Sequence, residues 1–334
     1  MRPLLPVIFL AWLAVSAPVQ AAEVGGLYEA LVPVAGQSAG ERSRAVGEGF
    51  RQVLVKASGQ RAVLGLPALQ PELAKADALL GSFRYEPAVV RAPGATVDPL
   101  LAGLRIRLSF DAASVRAVLQ RARAPLWGAS RPPVHLWVVR GETGGALLGL
   151  GTPQADTLID AAALRGLPAV LPAPGETEGP ATARVALLAT LVPGAGRVKA
   201  AGVLRLDGVN EPVEVTAVDE FAALRALVDE AADRLGARYA VVARTDQLKP
   251  MRLLVNGVGS LEAWAGLERW LAGLPLVKDV VLEAIGNGRV GLTLMLGGDP
   301  NRLVQAMNAD GRFGSVAMPA EDGQVPVLEV TLAP

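Results

Sequence analysis

Cysteine is absent from this chain of 334 residues, and histidine occurs once, at His135. Thiol chemistry, cysteine-bound zinc, iron–sulfur clusters and disulfide staples are thereby excluded, as are the two-histidine zinc motifs. Aromatic residues make up 4% of the chain, too few for a glycan groove of stacked rings. Excess charge is also missing: 32 basic residues stand against 32 acidic ones, so no global field points to a nucleic-acid partner. This inventory suggests no metal or cofactor. Beyond the N-terminus there is no apolar run of about 18 residues, the length a membrane helix needs.

What is present begins with MRPLLPVIFLAWLAVSAPVQA, with one positive charge at Arg2, an apolar run from Leu4 to Val15 and small residues up to Ala21. The pattern predicts a secretory signal over residues 1–21, cleaved before Ala22 or one residue later and too short to span a bilayer. A lipoprotein would need a cysteine at that site, so the expected location is the periplasm. The remaining chain, about 310 residues, can bury a core without disulfides.

Periodicity and Pro/Gly-rich breaks divide that remainder into three small α/β units, an α+β architecture spanning 24–126, 132–246 and 250–333. In the first, LYEALVPV reads as a strand. The following helix carries Ala45, Val46, Gly49, Phe50, Val53, Leu54 and Ala57 on one face and ends at Gly59. PALQPELAKADALL reads as a short helix, FRYEPAVV and the alternating LRIRLSF as strands, and Asp111 as the cap of a last helix. The middle unit opens with VHLWVV, apolar on both faces and so expected to be buried on both sides. A helix, a short apolar run, a hairpin and a third strand follow. The final helix, DEFAALRALVDEAADRLG, is expected to stop at Gly236. The third unit reads β-α-β-β-α-β, with a hairpin turn at Gly286-Asn287-Gly288 and caps at Ser260 and Asp299, the order of a ferredoxin-like sandwich.

KASGQRAVLGLPAL, FRYEP and LRIRLSFDAASVRAVLQRARAPLWGASRPPVHLWVV resemble the domain-of-unknown-function family 2066 (DUF2066), above all in Phe110-Asp111, Pro125-Leu126-Trp127-Gly128 and Arg131-Pro132. The resemblance implies an exported protein of Gram-negative bacteria and brings no activity, cofactor or catalytic residue with it.

Four motifs invite chemistry. Gly36-Gln37-Ser38-Ala39-Gly40 matches the nucleophile elbow G-x-S-x-G, and with an aspartate and His135 would keep the chain order Ser, Asp, His of a serine hydrolase. Few residues precede Ser38, however, where the elbow normally follows several parallel strands, so a helix cap is the expected role. His135 is expected to be structural, held by one hydrogen bond. Gly257-Val258-Gly259-Ser260 opens a helix after a strand but lacks the third glycine of a dinucleotide fingerprint, which leaves a turn with a serine cap. Arg105, Arg107, Arg116, Arg121, Arg123 and Arg131 crowd one region, offset nearby by Asp111 alone. A solvated helix face is the default reading, and a docking patch for an acidic partner, anionic lipid or cell-wall polymer is the alternative. The expectation is a non-enzymatic binding or assembly factor of the cell envelope, whose open sheet edges can accept a partner strand. A serine hydrolase using Ser38 and His135, and peripheral attachment through the arginines, are the alternatives.

Overall fold

The computed structural model describes residues 22–89, 102–141, 145–242, 248–314, 316 and 325–332. The expected signal at 1–21 lies outside the described residues. The chain is a mixed α+β protein in which three sheets each carry their own apolar cluster.

In the first unit β1 (Glu29–Val34), β2 (Leu80–Val89) and β3 (Ala102–Phe110) form an antiparallel sheet in the order β1-β3-β2. Helices α1 (Ala39–Ser58) and α2 (Ala112–Arg121) supply most of the rest of its cluster, joined by Val63, Leu69 and Ala76 from the segment between them and by Ala124 and Leu126. Strict alternation in β3 sends Ile106, Leu108 and Phe110 into the core and leaves Arg105 and Arg107 on the opposite side. The segment expected as a second helix is instead a chain of 3-10 turns around a single helical turn, Gln70–Leu73. Pro67 and Pro71 each remove a backbone donor there, and a ring in a helix interior clashes with the preceding turn.

The middle sheet runs β7-β6-β5-β4, where β4 is Val134–Arg140, β5 Val185–Gly194, β6 Arg197–Leu206 and β7 Val209–Ala217. β4 and β5 are parallel, the others antiparallel, and two short strands pair with the free side of β4. Helices α3 (Pro153–Leu164) and α4 (Glu220–Tyr239) complete the cluster. β4 is not buried on both sides: Val134, Leu136 and Val138 are buried, whereas His135, Trp137 and Val139 are half-covered. Nor does α4 stop at Gly236, which lies buried inside the helix.

The last sheet is built from β8 (Lys249–Asn256), β9 (Val277–Gly286), β10 (Arg289–Leu296) and β11 (Val327–Thr331), in the order β9-β10-β8-β11, with α5 (Leu261–Gly273) and α6 (Pro300–Asp310) between strands. Asn287 and Gly288 take the positive φ values, 53° and 70°, that a tight hairpin turn requires. The element order is the one read from the sequence, but one direction differs. A ferredoxin-like sheet is antiparallel throughout, and here β11 runs parallel to β8. Phe313, just past α6, bridges Leu332 at the far end of β11. The strand therefore begins at the opposite end of the sheet from where α6 delivers the chain. Among the described residues no helix is long and apolar enough to cross a membrane.

Candidate functional site

Arg131, expected on the surface, is fully buried. It lies in the linker between the first and middle units, and all five of its N–H groups donate to backbone carbonyls. Nε reaches Gly128 O at 3.0 Å; Nη1 reaches Arg165 O at 3.2 Å and Gly166 O at 2.8 Å; Nη2 reaches Lys56 O at 2.7 Å and Trp127 O at 3.0 Å. The Arg131 Cζ atom stands 4.1 Å from the centroid of the Trp127 ring. Lys56 is in the last turn of α1, and Arg165 and Gly166 directly follow α3. The terminal carbonyls of a helix have no partner within it and carry its negative pole. One guanidinium thus satisfies two helix ends from two units. Burial draws its pKa down to about 9, which still leaves it charged at neutral pH.

Arg165 repeats the device. Its Nη2 donates to Gly59 O at 3.0 Å and to Asp233 at 2.5 Å, and its Nη1 to Asp229 Oδ1 at 2.8 Å. Arg61 of the first unit joins the same carboxylates, at 2.6 Å from Asp233 and 3.6 Å from Asp229. Burial pushes the Asp233 pKa upward, but the Arg61 backbone N–H and both guanidiniums outweigh it and hold the carboxyl below its ordinary range. The linker is also held by backbone: Leu126 pairs with Val241 in both directions at 2.9 Å, and Trp127 N–H donates to Ala57 O at 2.7 Å. On the other side Ser130 Oγ donates to the buried Asp310 at the end of α6, and Arg312 Nε holds the second oxygen of that carboxylate at 2.6 Å. The linker from Leu126 to Arg131 therefore contacts all three units.

Where they meet is a cavity of about 180 Å³. One wall is the linker, from Leu126 to Ser130, with Tyr239 at the end of α4 and Val241 just beyond it. The other comes from α5, the turn after it and α6, and includes Trp270, Leu276, Leu303 and Ala306. Tyr239 stacks on Trp127 at 5.9 Å between centroids, and its hydroxyl reaches Asp207 at 3.2 Å. Arg269, Arg302 and Arg312 also line the space, and among the described residues no aspartate or glutamate does. A largely apolar concavity with a few fixed polar groups is the general form of a small-ligand site.

The residues singled out by sequence are not brought together. Ser38 is exposed at the start of α1, where its hydroxyl accepts from Glu41 N–H at 3.3 Å. β1, before it, is an edge strand of an antiparallel sheet and supplies none of the parallel framework of a nucleophile elbow. His135 is on the middle sheet, and the two side chains share no hydrogen bond. The histidine is half-buried, and among the described residues its imidazole makes no hydrogen bond, contrary to the single bond expected. Burial lowers its pKa and the charge of Glu176 opposes that shift. Ser260 caps α5 by accepting from Ala263 N–H at 3.1 Å.

The arginine cluster dissolves as a unit. Arg131 is internal. Arg107 pairs with Glu86 at 2.7 Å and Glu29 at 3.4 Å, and Arg121 with Glu72 at 3.5 Å. The charge of Arg116 acts on the Tyr28 hydroxyl, Arg105 keeps a buried Nε without a partner, and Arg123 is exposed. The offsetting carboxylates come from strands and turns distant in sequence, so a linear count around Asp111 missed them. Sequence reasoning also missed the cavity, because its walls join segments more than a hundred residues apart.

Residues 21–128 match the model of a family described as Domain of unknown function (DUF8605). This overturns the resemblance to DUF2066: the matching family is a different one, and its match ends at Gly128, within the linker. No curated protein matches the chain.

Proposed function

We propose that this protein is a non-enzymatic binding or assembly factor of the bacterial cell envelope, exported by the segment 1–21 to the periplasm, with its binding site at the junction of units 24–126, 132–246 and 250–333. The observation that carries the reading is the use of Arg131. A buried cation bonded only to carbonyls of two helix ends and their linker performs no chemistry; it holds two units in one relative position, beside a concavity that neither has alone. The third unit is, on this reading, a ferredoxin-like variant with its last strand reversed. A second contact surface is the edge strand β9, which exposes Val281, Leu282 and Ile285, since an unpaired edge accepts an added strand.

The test is in-cell crosslinking of the tagged full chain with mass-spectrometric identification of what it holds. Capture of an envelope component, reduced when Ala306→Phe fills the cavity, is the expected result. A cytoplasmic chain, or capture indifferent to both Ala306→Phe and charges placed on β9, would overturn it.

A further inference from the structure

The junction cavity has a charge imbalance that holding units together does not explain. Of its three arginines, Arg312 is neutralised by Asp310 at 2.6 Å. Arg302 donates instead to the Arg238 carbonyl and to Gln305 Oε1, and Arg269 Nε to Ala265 O at 3.2 Å within its own helix. Neither forms an ion pair among the described residues. Guanidinium stays protonated at any physiological pH. Two positive charges without a carboxylate partner therefore line a space whose other walls are mostly apolar, with Ser130, Gln305 and the paired Arg312 among them, in a chain whose overall charge is balanced. Trp270, 5% exposed, adds an indole Nε1–H buried with no acceptor, a standing penalty for an unpaired donor.

We propose that the cavity takes a small organic anion with an apolar body: a carboxylate whose head pairs with Arg269 and Arg302 and whose ring or short chain packs among Trp127, Tyr239 and Trp270. Arginine's planar fork matches a carboxylate, and the aromatic walls match a ring or alkyl group. Size narrows the class. About 180 Å³ is a little more than the ~150 Å³ that holds benzene in a protein core. One ring, or a chain of about six carbons, fits on that scale; a diacyl lipid or a glycan strand does not.

This inference rests on the reading of the junction as a binding site, and calorimetric titration of the full chain with phenylacetate, hexanoate and the neutral phenylacetamide separates the two. The acids should bind, and phenylacetamide should bind at least about tenfold more weakly, as expected when a charged partner is lost. Arg269→Gln and Arg302→Gln should each weaken phenylacetate about tenfold. Arg269 is exposed, so its variant tests the charge even if Arg302→Gln loosens the contact with α4. Amide binding equal to that of the acid, or wild-type affinity in both variants, overturns the anionic class while the junction still binds. No binding of any probe overturns the ligand inference, and the Ala306→Phe crosslinking result then decides the binding-factor reading on its own.

Discussion

Gly59 and Gly236 meet backbone to backbone. A Cβ on Gly59 would stand 2.9 Å from the Cα of Gly236 and 2.7 Å from the Trp127 ring, and a Cβ on Gly236 would overlap the Gly59 carbonyl. Gly59 also has φ 75°, the left-handed cap that ends α1. The two glycines let the end of α1 approach the flank of α4 closely enough for Arg131 and Arg165 to reach carbonyls beside them.

Gly236→Ala therefore sets two effects against each other. Helix propensity alone favours alanine by about 1 kcal/mol, whereas overpacking a close contact costs about 1–3 kcal/mol. The contact is with backbone, which cannot swing away, so the variant should lower the urea midpoint. Gly47→Ala in α1, whose Cβ meets only the tip of Arg51 at 3.6 Å, should raise it. A stabilised Gly236→Ala would show that the units do not approach as described.

Arg131→Met keeps much of the side-chain volume and leaves buried carbonyls unpaired. Each unpaired polar group costs about 1–3 kcal/mol, so the loss should reach roughly 3 kcal/mol or more, read from urea unfolding. Arg131→Lys should recover less than half of it, because one ammonium cannot span two helix ends. Amide hydrogen exchange should accelerate first around residues 126–131.

His135 supplies a single imidazole signal for NMR titration. Burial lowers its pKa from the usual 6.5, so the midpoint should fall below that value. A depressed folded-state pKa contributes stability that is present above about pH 6.5 and is lost as pH falls through the folded midpoint. His135→Gln should remove that slope and leave the neutral-pH stability nearly unchanged. A midpoint at or above 6.5 would mean that the imidazole is solvated or paired.

Ser38→Ala removes a cap, which costs about 0.5–2 kcal/mol, and should change nothing else. A fluorophosphonate probe should leave Ser38 of the wild-type chain unlabelled. Covalent capture that disappears in Ser38→Ala would restore the hydrolase reading.

Much of the secondary structure was legible because it depends on neighbours in the chain. The apolar stripe from Ala45 to Ala57 is a helix, Ser38, Asp111, Ser260 and Asp299 cap helices, and Asn287-Gly288 turns a hairpin. Each is a preference expressed within a few residues. The same local rules misread Gly236, since a glycine after an apolar stripe signals a helix end unless something outside the helix needs its missing side chain. They also misread Arg131: an arginine beside Pro132 and Pro133 carries no local mark of burial, and its acceptors come from Lys56 and Arg165 as well as from the linker.

By itself, the sequence determined the balance of charge, the absence of thiol chemistry, the α+β pattern and the places where helices begin. Tertiary structure alone decided which arginine is internal, which are neutralised, which way β11 runs and where three units leave a cavity between them. The division follows from range. Propensity, capping and periodicity act over a turn or two of chain, whereas burial of a charge and the shape of a cavity depend on groups that only packing brings together.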